Sequence, residues 1–102
     1  MSRNLSAFES ELGQRVDEVL HYVWDPIGVS NAPEARDEYS GYAMRVVGML
    51  LESATAESLA AFLLEIEREG MGLTNRPEHA QSVAKLLVRW SRVLEEKYRR
   101  PL

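Results

Sequence analysis

Apolar residues recur at steps of three and four in four separate stretches of the chain, and nowhere do several in succession alternate with polar ones as in a half-buried strand. The pattern predicts an all-α fold. In the first stretch Leu5, Phe8, Leu12, Val16, Val19, Leu20 and Val23 form one stripe. Asn4 or Ser6 is available to cap it, and Ser6 with Glu9 matches an S-x-x-E capping box. Gly13 inside this helix costs about 1 kcal/mol relative to alanine. Pro26 disfavours helical geometry at Asp25, so the helix is predicted to end near Trp24.

A second stripe comprises Tyr39, Tyr42, Ala43, Val46, Val47, Leu50 and Leu51. Two starts are open for it: Pro33 as the first helical residue, or a short turn before a cap at Asp37. Thr55 is the expected cap of a third helix carrying Leu59, Phe62, Leu63 and Ile66, with Gly70 placed to close it in left-handed conformation. Asn75, Pro77 and Glu78 combine a cap, an early proline and a reciprocal carboxylate, and mark a fourth start. Its stripe, Ala80, Val83, Ala84, Leu87, Trp90, Leu94 and Tyr98, stops before Pro101. The last two links are short, which favours antiparallel neighbours. Residues 1–102 therefore read as one compact four-helix domain with a long structured loop between the first two helices.

Composition narrows the function classes. A chain of 102 residues that is 45% hydrophobic can support a single core without staples. Cysteine is absent, which excludes a disulfide framework, a thiolate zinc site, an iron–sulfur cluster and a cysteine nucleophile, and fits the reducing cytoplasm as the expected location. No apolar run approaches the roughly 20 residues of a membrane span, and the polar start Met1-Ser-Arg-Asn4 lacks a signal-peptide core. No membrane association is expected.

The segment from Trp24 to Tyr39 holds the unusual chemistry. Asp25-Pro26-Ile27-Gly28 matches a type I turn position by position, with Trp24 and Ile27 as its expected anchors. Arg36, Asp37, Glu38 and Tyr39 gather at the same end. Two readings stay open. In one, this is a packed corner whose carboxylates cap the second helix and pair with Arg36. In the other, Trp24, Pro26, Ile27 and Gly28 frame a partner surface whose contact residues are Asp25, Arg36, Asp37, Glu38 and Tyr39.

Trp24-Asp-Pro-Ile-Gly28, then Asp37-Glu-Tyr39, then Ile66-Glu-Arg-Glu-Gly-Met-Gly-Leu73 follow one another in an order that resembles the YugE-like family of small uncharacterised bacterial proteins, a domain of unknown function. The resemblance spans most of the chain. It implies a small, cytosolic, all-helical domain and brings no activity and no catalytic residues with it.

The residues offer little to a catalyst. His21 and His79 lie on different helices without metal-ligand spacing, so His21 is expected to edge the core or face solvent, and no metal or other cofactor is expected. Glu65, Glu67 and Glu69 read as a solvated face, with Glu65 and Arg68 paired at i, i+3. No phosphate loop, nucleophile elbow or dinucleotide fingerprint is present, and the chain is not read as an enzyme.

Charge is divided along the chain. Residues 1–75 carry thirteen acidic and five basic side chains, residues 76–102 three acidic and seven basic, for a net charge of −4. Lys85, Arg89, Arg92, Arg99 and Arg100 share the polar side of the fourth helix and form an alternative nucleic-acid face. An amphipathic helix leaves such a face in water, and cations near its C-terminus suit the macrodipole. The acidic body is therefore the favoured surface, and a basic protein the favoured partner, as for immunity-type inhibitors of bacterial toxins. Homo-oligomerisation through an apolar patch around Tyr42, Met44, Met49 or Met71 is a further alternative.

Overall fold

The capping box at the first helix is formed: the Ser6 hydroxyl accepts from the Glu9 N–H at 3.1 Å, and the Glu9 carboxylate accepts from the Ser6 N–H at 3.3 Å. It starts α1, Ala7–Val19. The computed structural model describes residues 6–28, 31–35, 37–70, 72 and 76–99, so Asn4 and Leu5 lie outside the described residues. Beyond Val19 the helix widens into a π-helical turn, Leu20–Trp24, closed by a 2.9 Å bond from the Asp25 N–H to the Leu20 carbonyl five residues back. Asp25 then adopts left-handed geometry (φ 34°) and ends the helix just before Pro26.

Neither expected start of the second helix is used. Pro33–Ala35 form a separate 3₁₀ turn, and α2 runs Ser40–Leu51. Asp37 contributes only its backbone carbonyl, 3.2 Å from the Ser40 N–H. Tyr39 occupies the N-cap position without a side-chain cap, because its ring is drawn into the core. The third helix is α3, Ala56–Glu65, and Thr55 caps it as expected, accepting from the Ser58 N–H at 3.1 Å. It does not close in left-handed geometry at Gly70. Instead it continues as a second π-turn, Ile66–Gly70, and positive φ appears at Gly72. The fourth helix, α4, spans Pro77–Arg99 and opens on its proline. The cap expected at Asn75 lies outside the described residues.

The principal packings are α3 on α4, α4 on α1 and α1 on α2, which makes the lateral order α2–α1–α4–α3. Helix stripes meet in one core built on Leu12, Val16, Val46, Leu59, Leu63 and Leu87, all fully buried. Each such side chain contributes about 1.5–3 kcal/mol by leaving water. The described residues contain four α-helices and no strand, so the protein is an all-α four-helix domain. Three stripe members miss the core: Val23, Leu51 and Tyr98 are exposed. Trp90 is half-buried and packs against the core, with the Arg15 guanidinium 5.7 Å from its ring centroid.

Candidate functional site

The two π-turns meet through one side-chain bond. The Trp24 indole Nε1 donates to Glu67 Oε2 at 2.8 Å, and both side chains are buried. Glu67 therefore does not belong to the solvated face expected for it. It stands four residues after Leu63, which stands four after Leu59, so it occupies the core phase of its helix. Glu67 Oε1 is buried and has no hydrogen-bond partner among the described residues. Glu65 does not take Arg68 as expected; the Arg68 guanidinium lies 3.6 Å from Glu69 instead. His21, expected either at the core edge or in solvent, is buried, with its ring centroid 4.5 Å from that of Tyr22 in an edge-on contact and its Nδ1 without a hydrogen-bond partner among the described residues.

Tyr39 locks the adjoining turn. Its ring packs 5.4 Å from that of Trp24, its hydroxyl donates to Asp25 Oδ1 at 2.9 Å, and the same oxygen accepts from the Ile27 N–H at 3.2 Å. Burial pushes the Tyr39 phenol up to about 12, and the Asp25 carboxylate adds to the rise. The Asp25-to-Gly28 turn closes with a 3.3 Å bond from the Gly28 N–H to the Asp25 carbonyl, and Gly28 takes φ +74°. Of the two expected anchors Trp24 is fully buried, whereas Ile27 is 42% exposed. Ile27 is held by its backbone N–H, and its side chain is left at the surface.

From the far side, Arg76, just before α4, and His79, in its first turn, satisfy the carbonyls at the end of the first helix. Arg76 Nη2 donates to the Trp24 carbonyl at 3.1 Å, and His79 Nε2 lies 2.9 Å from the Val23 carbonyl and 3.3 Å from that of Trp24. Carbonyls only accept, so these contacts require the hydrogen on His79 Nε2. A cation at a helix C-terminus also suits its partial negative charge.

The five candidate contact residues are thus divided. Tyr39 is 1% exposed and belongs to the frame, and Asp25 is half-buried as its hydrogen-bond acceptor. Asp37 and Glu38 are exposed, as is the neighbouring Glu34, while Arg36 lies outside the described residues. Tyr22 and Val23, in the π-turn that precedes this segment, are 57% and 43% exposed. Glu67, His21, Arg76 and His79 escaped the sequence reading as members of this corner, although the Leu59–Leu63–Glu67 spacing carried a signal for one of them.

On the alternative face, Lys85, Arg89 and Arg92 are exposed and line one open cavity of about 530 Å³. Arg99 pairs with Glu95 at 3.7 Å, and Arg100 lies outside the described residues. Among the described residues no group of three or more His, Asp or Glu is placed to hold a metal ion, and no helix is long and apolar enough to cross a membrane. Compared with known proteins, the chain matches no family model, no curated protein and no solved structure.

Proposed function

We propose that this protein is an interaction module that presents the corner around residues 22–39 to a basic protein partner. The observation that carries this reading is the pairing of exposed apolar side chains, Tyr22, Val23 and Ile27, with exposed carboxylates, Glu34, Asp37 and Glu38, on one short braced segment. An apolar centre with a polar rim is the usual anatomy of a protein interface. The frame beneath is already tied by the Trp24–Glu67 and Tyr39–Asp25 bonds, so binding need not order it, and that lowers the entropic cost of association. The carboxylates steer and orient a positively charged partner. A bacterial cytosolic setting and an immunity-type inhibitory role, in which the acidic corner covers a basic enzyme surface, belong to the same proposal, as does the YugE-like resemblance.

The test is capture from bacterial extract with wild-type protein and with the double variant Asp37→Lys, Glu38→Lys, each checked for unchanged helicity by circular dichroism. The expected result is a basic protein retained by the wild type at low salt, released by salt and lost in the variant. Identical retention by both proteins would reject the acidic corner as the binding surface.

A further inference from the structure

Nine described side chains are Arg or Lys, and six of them are engaged with a carboxylate, an aromatic ring or a backbone carbonyl. The remaining three, Lys85, Arg89 and Arg92, make no hydrogen bond or ion pair among the described residues, and all three line the same cavity. They stand at i, i+4 and i+7 on α4, one face of the helix, and span about 10 Å of its axis. Opposite them the wall is the α2–α3 connection with the hydroxyls of Ser53 and Thr55. Among the described residues the other six cations each have an internal partner, and these three are left to an external anion.

The cavity extends past Lys85. A second space of about 300 Å³ shares Ala56, Glu57 and Lys85 with the first and is completed by Ala60, Leu64 and Gln81. It therefore places an apolar floor and one amide next to the cationic end. Together the two spaces reach the size range of small-ligand sites.

We infer that Lys85, Arg89 and Arg92 bind the phosphates of a small organic polyphosphate, of the nucleoside di- or triphosphate class, whose organic part lies over Ala60 and Leu64 beside Gln81. Guanidinium groups suit this role because their planar forks bond phosphate oxygens in pairs. A long nucleic-acid backbone fits less well. Glu57 lines both spaces, and Glu95 stands with Arg92 in a third adjoining space. An extended polyanion running along the helix would meet one or both carboxylates, whereas a short polyphosphate needs to span only the three cations. This site is separate from the proposed protein-binding corner and stands or falls independently of it.

The experiment is calorimetric and NMR titration of the full chain with ATP, tripolyphosphate, adenosine and a single-stranded oligonucleotide at physiological salt. Expected is saturable one-to-one binding of ATP, with amide shifts confined to residues 53–60 and 81–92, weakened on the order of tenfold or more by Arg89→Gln with Arg92→Gln. Both positions are exposed, so unchanged circular dichroism will show that the variant is folded. Gln81→Ala, which changes no charge, is expected to weaken ATP while leaving tripolyphosphate unchanged, which separates the organic subsite from the phosphate subsite. The inference is overturned if ATP does not saturate by millimolar concentration or if the arginine variant binds it as well as wild type. It is also overturned if tripolyphosphate equals ATP, or if the oligonucleotide binds more tightly than either with a steep salt dependence.

Discussion

Trp24 and Glu67 lie 43 residues apart in sequence, yet the indole N–H of one is spent on the carboxylate of the other, inside the core and between two π-turns. Removing the acceptor leaves a buried donor unsatisfied. Glu67→Ala is therefore expected to lower stability by about 1–3 kcal/mol, and Glu67→Gln, which keeps a carbonyl oxygen in place, by less. Trp24→Phe removes the donor from the other side. A double-mutant cycle read by denaturant unfolding should show coupling between the two sites; additive effects would mean that the bond contributes only packing.

Tyr39 ties the Asp25 turn through two hydrogen bonds and titrates abnormally. Its phenol is near 10 in an unfolded chain and is pushed up to about 12 here. Between those values the unfolded state binds fewer protons than the folded one, so stability is fully present below about pH 10 and falls as pH rises toward 12. Tyr39→Phe should flatten that alkaline slope and cost about 1–2 kcal/mol at neutral pH through the lost bonds. Thermal unfolding of both proteins across this range, alongside tyrosinate absorbance, checks the sign and the window.

A second electrostatic contact joins the ends of the longest and the first helices. Glu11 accepts from Lys97 at 2.8 Å and from the Tyr98 hydroxyl at 2.6 Å, and these two bonds hold its carboxyl below the usual range while raising Lys97 and Tyr98. Stability from Glu11 is present above its unfolded value and is lost as pH falls through the lowered one. That from Lys97 and Tyr98 is present below their unfolded values and is lost on the alkaline side. Glu11→Gln should flatten both limbs of the stability profile and speed amide exchange over the last turn of α4. An unchanged acid limb would remove Glu11 from the account.

Gly28 has open space where a side chain would begin, and its φ of +74° is the constraint. Gly28→Val should therefore destabilise through the backbone alone, by about 1–2 kcal/mol. Gly28→Asn should cost less, because asparagine tolerates left-handed geometry. Equal unfolding midpoints for the two variants would contradict this assignment.

What could be read from the chain was local. Ser6 with Glu9, Thr55, and Pro77 mark helix starts through local signals, and the structure places the starts there. The apolar stripes were legible for the same reason, since period alone assigns Leu12, Val46, Leu63 and Leu87 to the inside. The π-turns were not legible, because bonding to the fifth residue back is imposed by what the widened turn must reach across the core. At Glu67 two signals conflict: the charge points to water, the spacing from Leu59 and Leu63 to the core, and the side chain follows the spacing. Tyr39 belongs by period to the stripe and by neighbourhood to the contact residues, and burial decides for the stripe.

The π-turn at Leu20–Trp24 also carries an implication for how this chain tolerates change in length. A π-turn holds one residue more than the α-helix around it needs, and each residue advances the helix by about 100°. Loss of the surplus residue, for instance the exposed Tyr22, would close the widened turn to a regular one and leave Trp24 in phase with Val16 and Leu12, whereas the same loss from within α1 would turn every later residue by that angle. The corner is thus more tolerant of a deletion than the helix that leads into it. The matching turn at Ile66–Gly70 holds the other half of the bond, so a surplus residue stands on each side of it.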